Sequence, residues 1–276
     1  MFFAIFYTLY ISAIIHIFAD NYKIAILMKF DDLLNFLPHD KPFKKELIRT
    51  FYYKNGERIS TENLNIRVNR LKAKGIIVNV SWGWYRVNDK KMFEPELSPA
   101  LKKISGKLKK DFPFLTYILW SSSWLNELTT LQLFRNVYNI EVEAGSEESV
   151  FRTLKEDFPN RVFLNPNENE WDNYKAEDEE NIIVKTMISE SPHVAFHGIK
   201  IARLEKILVD LYCDKFWKVI FSSEVDNIYS EACSNFTINF STLLSYAARR
   251  GKRVEIWSYI KSLKVLDSSI IKMVEK

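Results

Sequence analysis

Asn63, Arg67, Arg70 and Lys74 recur at i, i+4, i+7 and i+11. On a helix, that spacing gathers them along one face. Their chemistry is recognition. Arg and Asn pair bidentately with guanine and adenine edges, and Arg and Lys neutralise phosphates. No acid occurs between Glu62 and Asp89, whereas a helix needing only solubility could alternate Lys with Glu. Trp82 and Arg86 follow in "SWGWYRV" (Ser81–Val87) and could lie along a neighbouring backbone. The bland alternatives are a solvated helix face and a protein-interaction module.

The elements that must position these side chains are readable around them. Ser60 is placed as an N-cap, with Glu62 in the first turn. Leu64, Val68 and Leu71 form the core stripe, and Gly75 stands at C′. Upstream, "MKFDDLLNFLP" has Phe30, Leu33, Leu34 and Leu37 at helical spacing and stops at Pro38. "KPFKKELIRTFYY" repeats the pattern with Phe43, Leu47, Ile48 and Phe51, before an Asn55-Gly56 turn. Downstream, "IIVNV" and "WYRV" read as a hairpin around Ser81-Trp82-Gly83. Three helices, the last basic, and then a hairpin is the layout of a winged helix-turn-helix, expected over residues 28–97. "LKKISGKLKK" (Leu101–Lys110) adds five cations and reads as a basic linker helix over 98–110.

Charge is divided along the chain. Residues 28–110 hold 19 Lys and Arg against 9 Asp and Glu, a net of +10, whereas residues 111–276 hold 19 against 25, a net of −6. The basic part points to a polyanion such as double-stranded DNA. In 111–276, strands alternate with helices: "FLTYILWSSS", "NVYNIEVEA", "RVFLNP" and "NIIVKTMIS" are strand-like. "SEESVFRTLKEDFP" is helical, with Ser146 as cap and Val150, Leu154 and Phe158 inward, and from Leu204 onward the pattern is helical. The fold class is therefore α+β: an N-terminal winged helix and a C-terminal mixed α/β domain with a helical C-terminal part.

Enzyme signatures are thin. There is no Gly-rich phosphate loop and no G-x-S-x-G. His193 and His197 lack a third ligand, Lys185 has Ile183 where a nuclease would carry an acid, and Ser121, Ser122 and Ser123 have no evident His or Asp partner. The acid-rich stretch Glu168–Glu180 reads as solvated surface. Asp210 lies in a strongly apolar helix, so a partner is expected, with Lys206 or a nearby Arg the candidates. No catalytic residue, metal or cofactor is assigned. The rival reading is a nuclease or nucleotidyltransferase in which Glu141, Glu143 or Asp210 converge on Mg²⁺. Two cysteines make no disulfide framework and fit a reducing cytoplasm.

The order of parts resembles the AbiEi-type antitoxins of type IV abortive-infection toxin–antitoxin systems. "RLEKILVDLY" (Arg203–Tyr212) is similar to that family's ERT-L-DLL-like helix, and "LLSYAARRGKRVEIWSYI" to its later helix pair around an R-G turn. "LWSSSWLNEL" is similar to a segment of a Bacteroides-like branch. Lys206 and Glu205 stand where many relatives have Thr and Arg, and Arg249 or Arg250 could replace a lost charge. The resemblance runs from Met28 to the C-terminus. It implies a non-enzymatic antitoxin that represses its own operon, as a possible homodimer on inverted repeats, and counteracts a neighbouring nucleotidyltransferase-like toxin.

Residues 1–27 lie outside the resemblance. "MFFAIFYTLYISAIIHIFA" carries no formal charge, and it is read as translation from an upstream start, Met28 being native, as a membrane anchor, or as a helix packed on the body. As an anchor, Lys23 and Lys29 would favour a cytoplasmic body.

Overall fold

The computed structural model describes residues 32–131, 136–167, 170–171 and 180–275. The apolar segment 1–27 and most of the acidic stretch Glu168–Glu180 lie outside the described residues. Among the described residues, no helix is long and apolar enough to cross a membrane. The fold is α+β with two separate sheets, and the chain divides into two compact units, Met1–Asp89 and Lys90–Lys276.

In the first unit, residues 32–36 are helical. Strand β1 (Phe43–Lys44) and helix α1 (Lys45–Lys54) follow, so the second apolar pattern opens as a strand and not as a helix. Helix α2 spans Thr61–Ala73, and strands β2 (Ile77–Ser81) and β3 (Trp84–Val87) form the hairpin. The sheet order is β1-β3-β2, with both pairings antiparallel. One core joins these parts: Leu33, Leu37, Phe43, Ile48, Phe51, Leu64, Val68, Leu71, Ile77 and Val87 are all buried in it. Burying side chains of this size contributes about 1.5–3 kcal/mol each against exposure, offset by ordering entropy.

The second unit begins earlier than the charge pattern suggested. Lys91 N donates to Asn235 O and Thr237 N donates to Lys91 O, so residues 90–97 belong here. Helix α3 (Pro99–Asp111) is a core element of this unit and not a linker. Leu101, Ile104 and Leu108 are buried, and Ser98 and Ser105 hydrogen-bond the hydroxyls of Tyr138 and Tyr117 at 2.9 and 3.0 Å. Its cations occupy the outward side of an amphipathic helix.

A six-stranded mixed sheet anchors the second unit. Its strands are β4 (Tyr117–Ser121), β5 (Val137–Val142), β6 (Val162–Leu164), β7 (Asn181–Thr186), β8 (His193–Phe196) and β9 (Ile199–Ala202), in the order β6-β7-β5-β4-β9-β8. Strand β5 is antiparallel to β4 but parallel to β7, and β6 is parallel to β7. Strands β5, β6 and β7 therefore end along one edge. Ser122–Leu128 forms a 3-10 turn, and α4 (Glu147–Asp157) buries Val150 and Leu154. Ser146 is not the expected side-chain cap; Glu147 instead accepts from Gly145 N at 2.7 Å and from the Thr186 hydroxyl at 2.6 Å. The C-terminal part is helical: α5 (Leu204–Cys213), α6 (Lys215–Ile220), α7 (Val225–Asn235), α8 (Phe240–Arg249), α9 (Arg253–Ser262) and α10 (Ser268–Val274).

Candidate functional site

Helix α2 has a definite start and stop. The Ser60 hydroxyl accepts from Asn63 N at 3.2 Å. At the other end, Gly75 takes φ +67°. There Ile76 N donates to Leu71 O and Gly75 N donates to Lys72 O, at 3.0 and 2.9 Å. That is the Schellman closure, in which a left-handed residue is cheapest as glycine. Arg49 donates to the Thr61 hydroxyl at 3.1 Å, and Lys45 donates to Asn65 at 3.0 Å, tying α1 to α2.

Asn63, Asn65, Asn69, Arg70, Lys72 and Lys74 are all exposed along α2. Three amides and three cations on open helix surface can read base edges and phosphates. Asn65 and Asn69 were not picked out from sequence, although their i, i+4 spacing beside Arg70 was a signal. Trp82 sits at the hairpin tip and is 88% exposed. Gly83, in the same turn, takes φ +71°.

Two of the predicted cations are otherwise engaged. Arg67 stacks over the Tyr52 ring at 4.1 Å and pairs with Glu57. Partial burial works against its charge, but Tyr52 and Glu57 outweigh that and hold its pKa above the ordinary value. Arg86 pairs with Asp89 at 2.7 Å and is largely buried. The helical stripe Asn63, Arg67, Arg70 and Lys74 therefore exists, but the Arg67 guanidinium leans on α1 and the following loop. Spacing within one helix cannot register an acid ten residues upstream.

In the second unit, Glu141 and Asp210 meet at the edge where β5, β6 and β7 end. They line a cavity of about 410 Å³ with Asn165, Lys185, Thr186, Asp214 and Arg250 among its walls. Lys206, fully buried, donates to Glu141 and to Asp210 at 2.5 Å each. Arg250 and the Tyr246 hydroxyl reach the other Asp210 oxygen, both at 3.0 Å. Lys185 pairs with Asp214 at 2.7 Å. Burial works against the Lys206 ammonium, but the Asp210 and Glu141 carboxylates outweigh it and hold its pKa high. Both candidates for the Asp210 partner are thus present.

Glu141 and Asp210 share an ammonium where a cation would have to sit, and Glu143 lies beyond the end of β5 with its N bonded to Thr116 O. Among the described residues, no group of three or more His, Cys, Asp or Glu is placed to hold a metal ion. His193 lies in β8 and His197 in the turn that follows it. Ser121, Ser122 and Ser123 converge on Asn136, a local polar network and not a nucleophile–base pair.

Comparison with curated proteins gives no match. Residues 63–265 match a family of unknown function, DUF6577, and the match takes in all six residues of the predicted interface as well as nearly all of the second unit. The chain belongs to the DUF6577 family.

Proposed function

We propose that the first unit is a winged helix-turn-helix that binds double-stranded DNA, with α2 in the major groove and the β2–β3 tip on the adjacent backbone. The observation that carries this reading is the solvent-exposed surface of α2, where Asn63, Arg70 and Lys74 lie on one side and Asn65, Asn69 and Lys72 on the other, with no acid in the helix after Glu62. The order helix, strand, helix, helix, hairpin and the three-stranded sheet support it. A major groove admits one helix of this size, and amides and cations are the groups that pair with its edges and phosphates. Trp82 adds a flat apolar surface at the tip.

With the resemblance to AbiEi-type antitoxins, this module serves autoregulation. The protein represses its own operon, as a homodimer on inverted repeats, and its second unit counteracts a neighbouring nucleotidyltransferase-like toxin. The protein acts without catalysis of its own and in the cytoplasm.

Anisotropy titration against duplex DNA from the protein's own upstream region tests the first half. Arg70→Ala/Lys74→Ala should weaken binding, and four or five phosphate contacts should give a log–log salt slope of about −4. Unchanged affinity in that double variant rejects the interface. Co-expression with the product of the adjacent reading frame tests the second half, because an antitoxin must restore growth.

A further inference from the structure

A second cavity, of about 740 Å³, opens between the β7–β8 connection and helix α8. Arg203, Arg249, Arg253, His193, Ser241 and Ser245 are among its lining residues. Its one acid is Glu190. Three guanidinium groups against one carboxylate is a local reversal, since residues 111–276 carry 19 cations against 25 acids.

The cations are presented by different means. Arg203 is fixed by two bonds to Glu205, at 3.1 and 3.3 Å, and Glu205 is itself held by Asn239 N at 2.9 Å. A guanidinium has five N–H donors, so this anchoring leaves others available. Arg249 pairs with Glu190, which is 72% exposed on a turn residue with φ +56°. Such a surface pair is weak and exchanges readily for a better anion. Arg253 is exposed and has no ion-pair partner among the described residues. Ser241, Ser245 and Arg249 follow one another at four-residue spacing along α8, which puts two hydroxyls and a fork on one face.

We propose that this cavity binds the phosphate of a nucleotide or of a nucleic-acid end. Arginine forks match phosphate oxygens in geometry and charge, and hydroxyls supply the remaining donors. A dianion with three or more acceptor oxygens uses three forks, whereas a carboxylate offers two oxygens. Tyr246 is buried, with its hydroxyl on Asp210, so of the rings in the lining only the exposed His193 imidazole is open to a base. The three guanidinium groups make the phosphate the recognised group.

The test is calorimetric titration of the full chain with pyrophosphate, with ATP and with a short 5′-phosphorylated single strand. Saturable binding of pyrophosphate shows phosphate recognition, binding of ATP assigns the site to a free nucleotide, and binding of the strand alone assigns it to a nucleic-acid end. Arg249→Gln/Arg253→Gln should weaken the bound probe by about ten-fold or more. Arg152→Gln, a 72% exposed arginine on α4, should leave it unchanged. Both variants alter exposed side chains and should keep the wild-type melting profile. The proposal is overturned if no probe binds the folded wild type, or if the double variant binds as the wild type does.

Discussion

Lys206→Met tests the physical reading of the second unit most sharply. Lys206 is fully buried and holds Glu141 and Asp210 at 2.5 Å each. Without it, Asp210 keeps Arg250 and Tyr246, but among the described residues Glu141 keeps only Asn139, at 2.8 Å. Methionine fills similar space, so the loss is electrostatic. Removing one partner of a buried pair costs about 3–5 kcal/mol. With a urea dependence of about 2–3 kcal/mol per molar, the unfolding midpoint of this unit should fall by about 1–2.5 M. The Trp120–Trp217 pair, with ring centroids 4.4 Å apart, supplies the fluorescence signal. The deficit should depend on pH. Burial already pushes the Glu141 carboxyl up from its ordinary 4.5, with Lys206 pulling the other way. Removing Lys206 raises it further. A folded pKa above the unfolded one contributes stability that is full below about 4.5 and is lost as pH rises through the folded value. The variant should therefore lose least near pH 5 and most near pH 8, with a slope of at most about 1.4 kcal/mol per pH unit for one proton. Lys206→Met/Glu141→Gln should recover part of the midpoint. A midpoint loss under about 0.3 M, or one that grows toward low pH, refutes the reasoning.

Three further outcomes are expected. Arg70→Ala should reduce DNA affinity by about 1–3 kcal/mol if Arg70 reads a base, whereas Arg67→Ala should act mainly on thermal stability, because its guanidinium is committed to Tyr52 and Glu57; equal effects on binding would contradict the observed geometry. Ser60→Ala should cost about 1 kcal/mol in chemical denaturation, since its hydroxyl caps α2. Burial pushes the Cys233 thiol up to about 12, so at pH 8 its alkylation, read by mass spectrometry, should proceed only as fast as the second unit opens; rapid labelling of the folded protein would sink that prediction.

What the sequence disclosed follows from the range of the interactions involved. Periodicity is local, so α2 is legible down to Ser60 and Gly75, and the apolar runs of β5 and β7 announce strands. The five cations of α3 make it read as a linker, yet Leu101, Ile104 and Leu108 carry an i, i+3, i+7 core spacing that is equally plain in the sequence. The hairpin of β8 and β9 had no comparable local signal. Strand β9 takes its place by pairing in parallel with β4, Ile201 opposite Leu119, and neither strand's own residues encode that neighbour.

The same division governs the charges. Spacing along α2 set Arg67 in line with Arg70 and Lys74, yet Glu57 and Tyr52, brought in by the chain's return from α1, decide where its guanidinium goes. Asp210 announced its need for a partner by lying in an apolar helix. Lys206, four residues before it, was within local view, whereas Glu141 and Arg250 arrive only through tertiary packing. A helix pattern thus establishes which side chains share a face. Whether such a face stays open to a ligand depends on acids elsewhere in the chain: among the described residues the fold delivers a carboxylate to Arg67 and not to Arg70, so a DNA contact by Arg67 would compete with Glu57 and Tyr52.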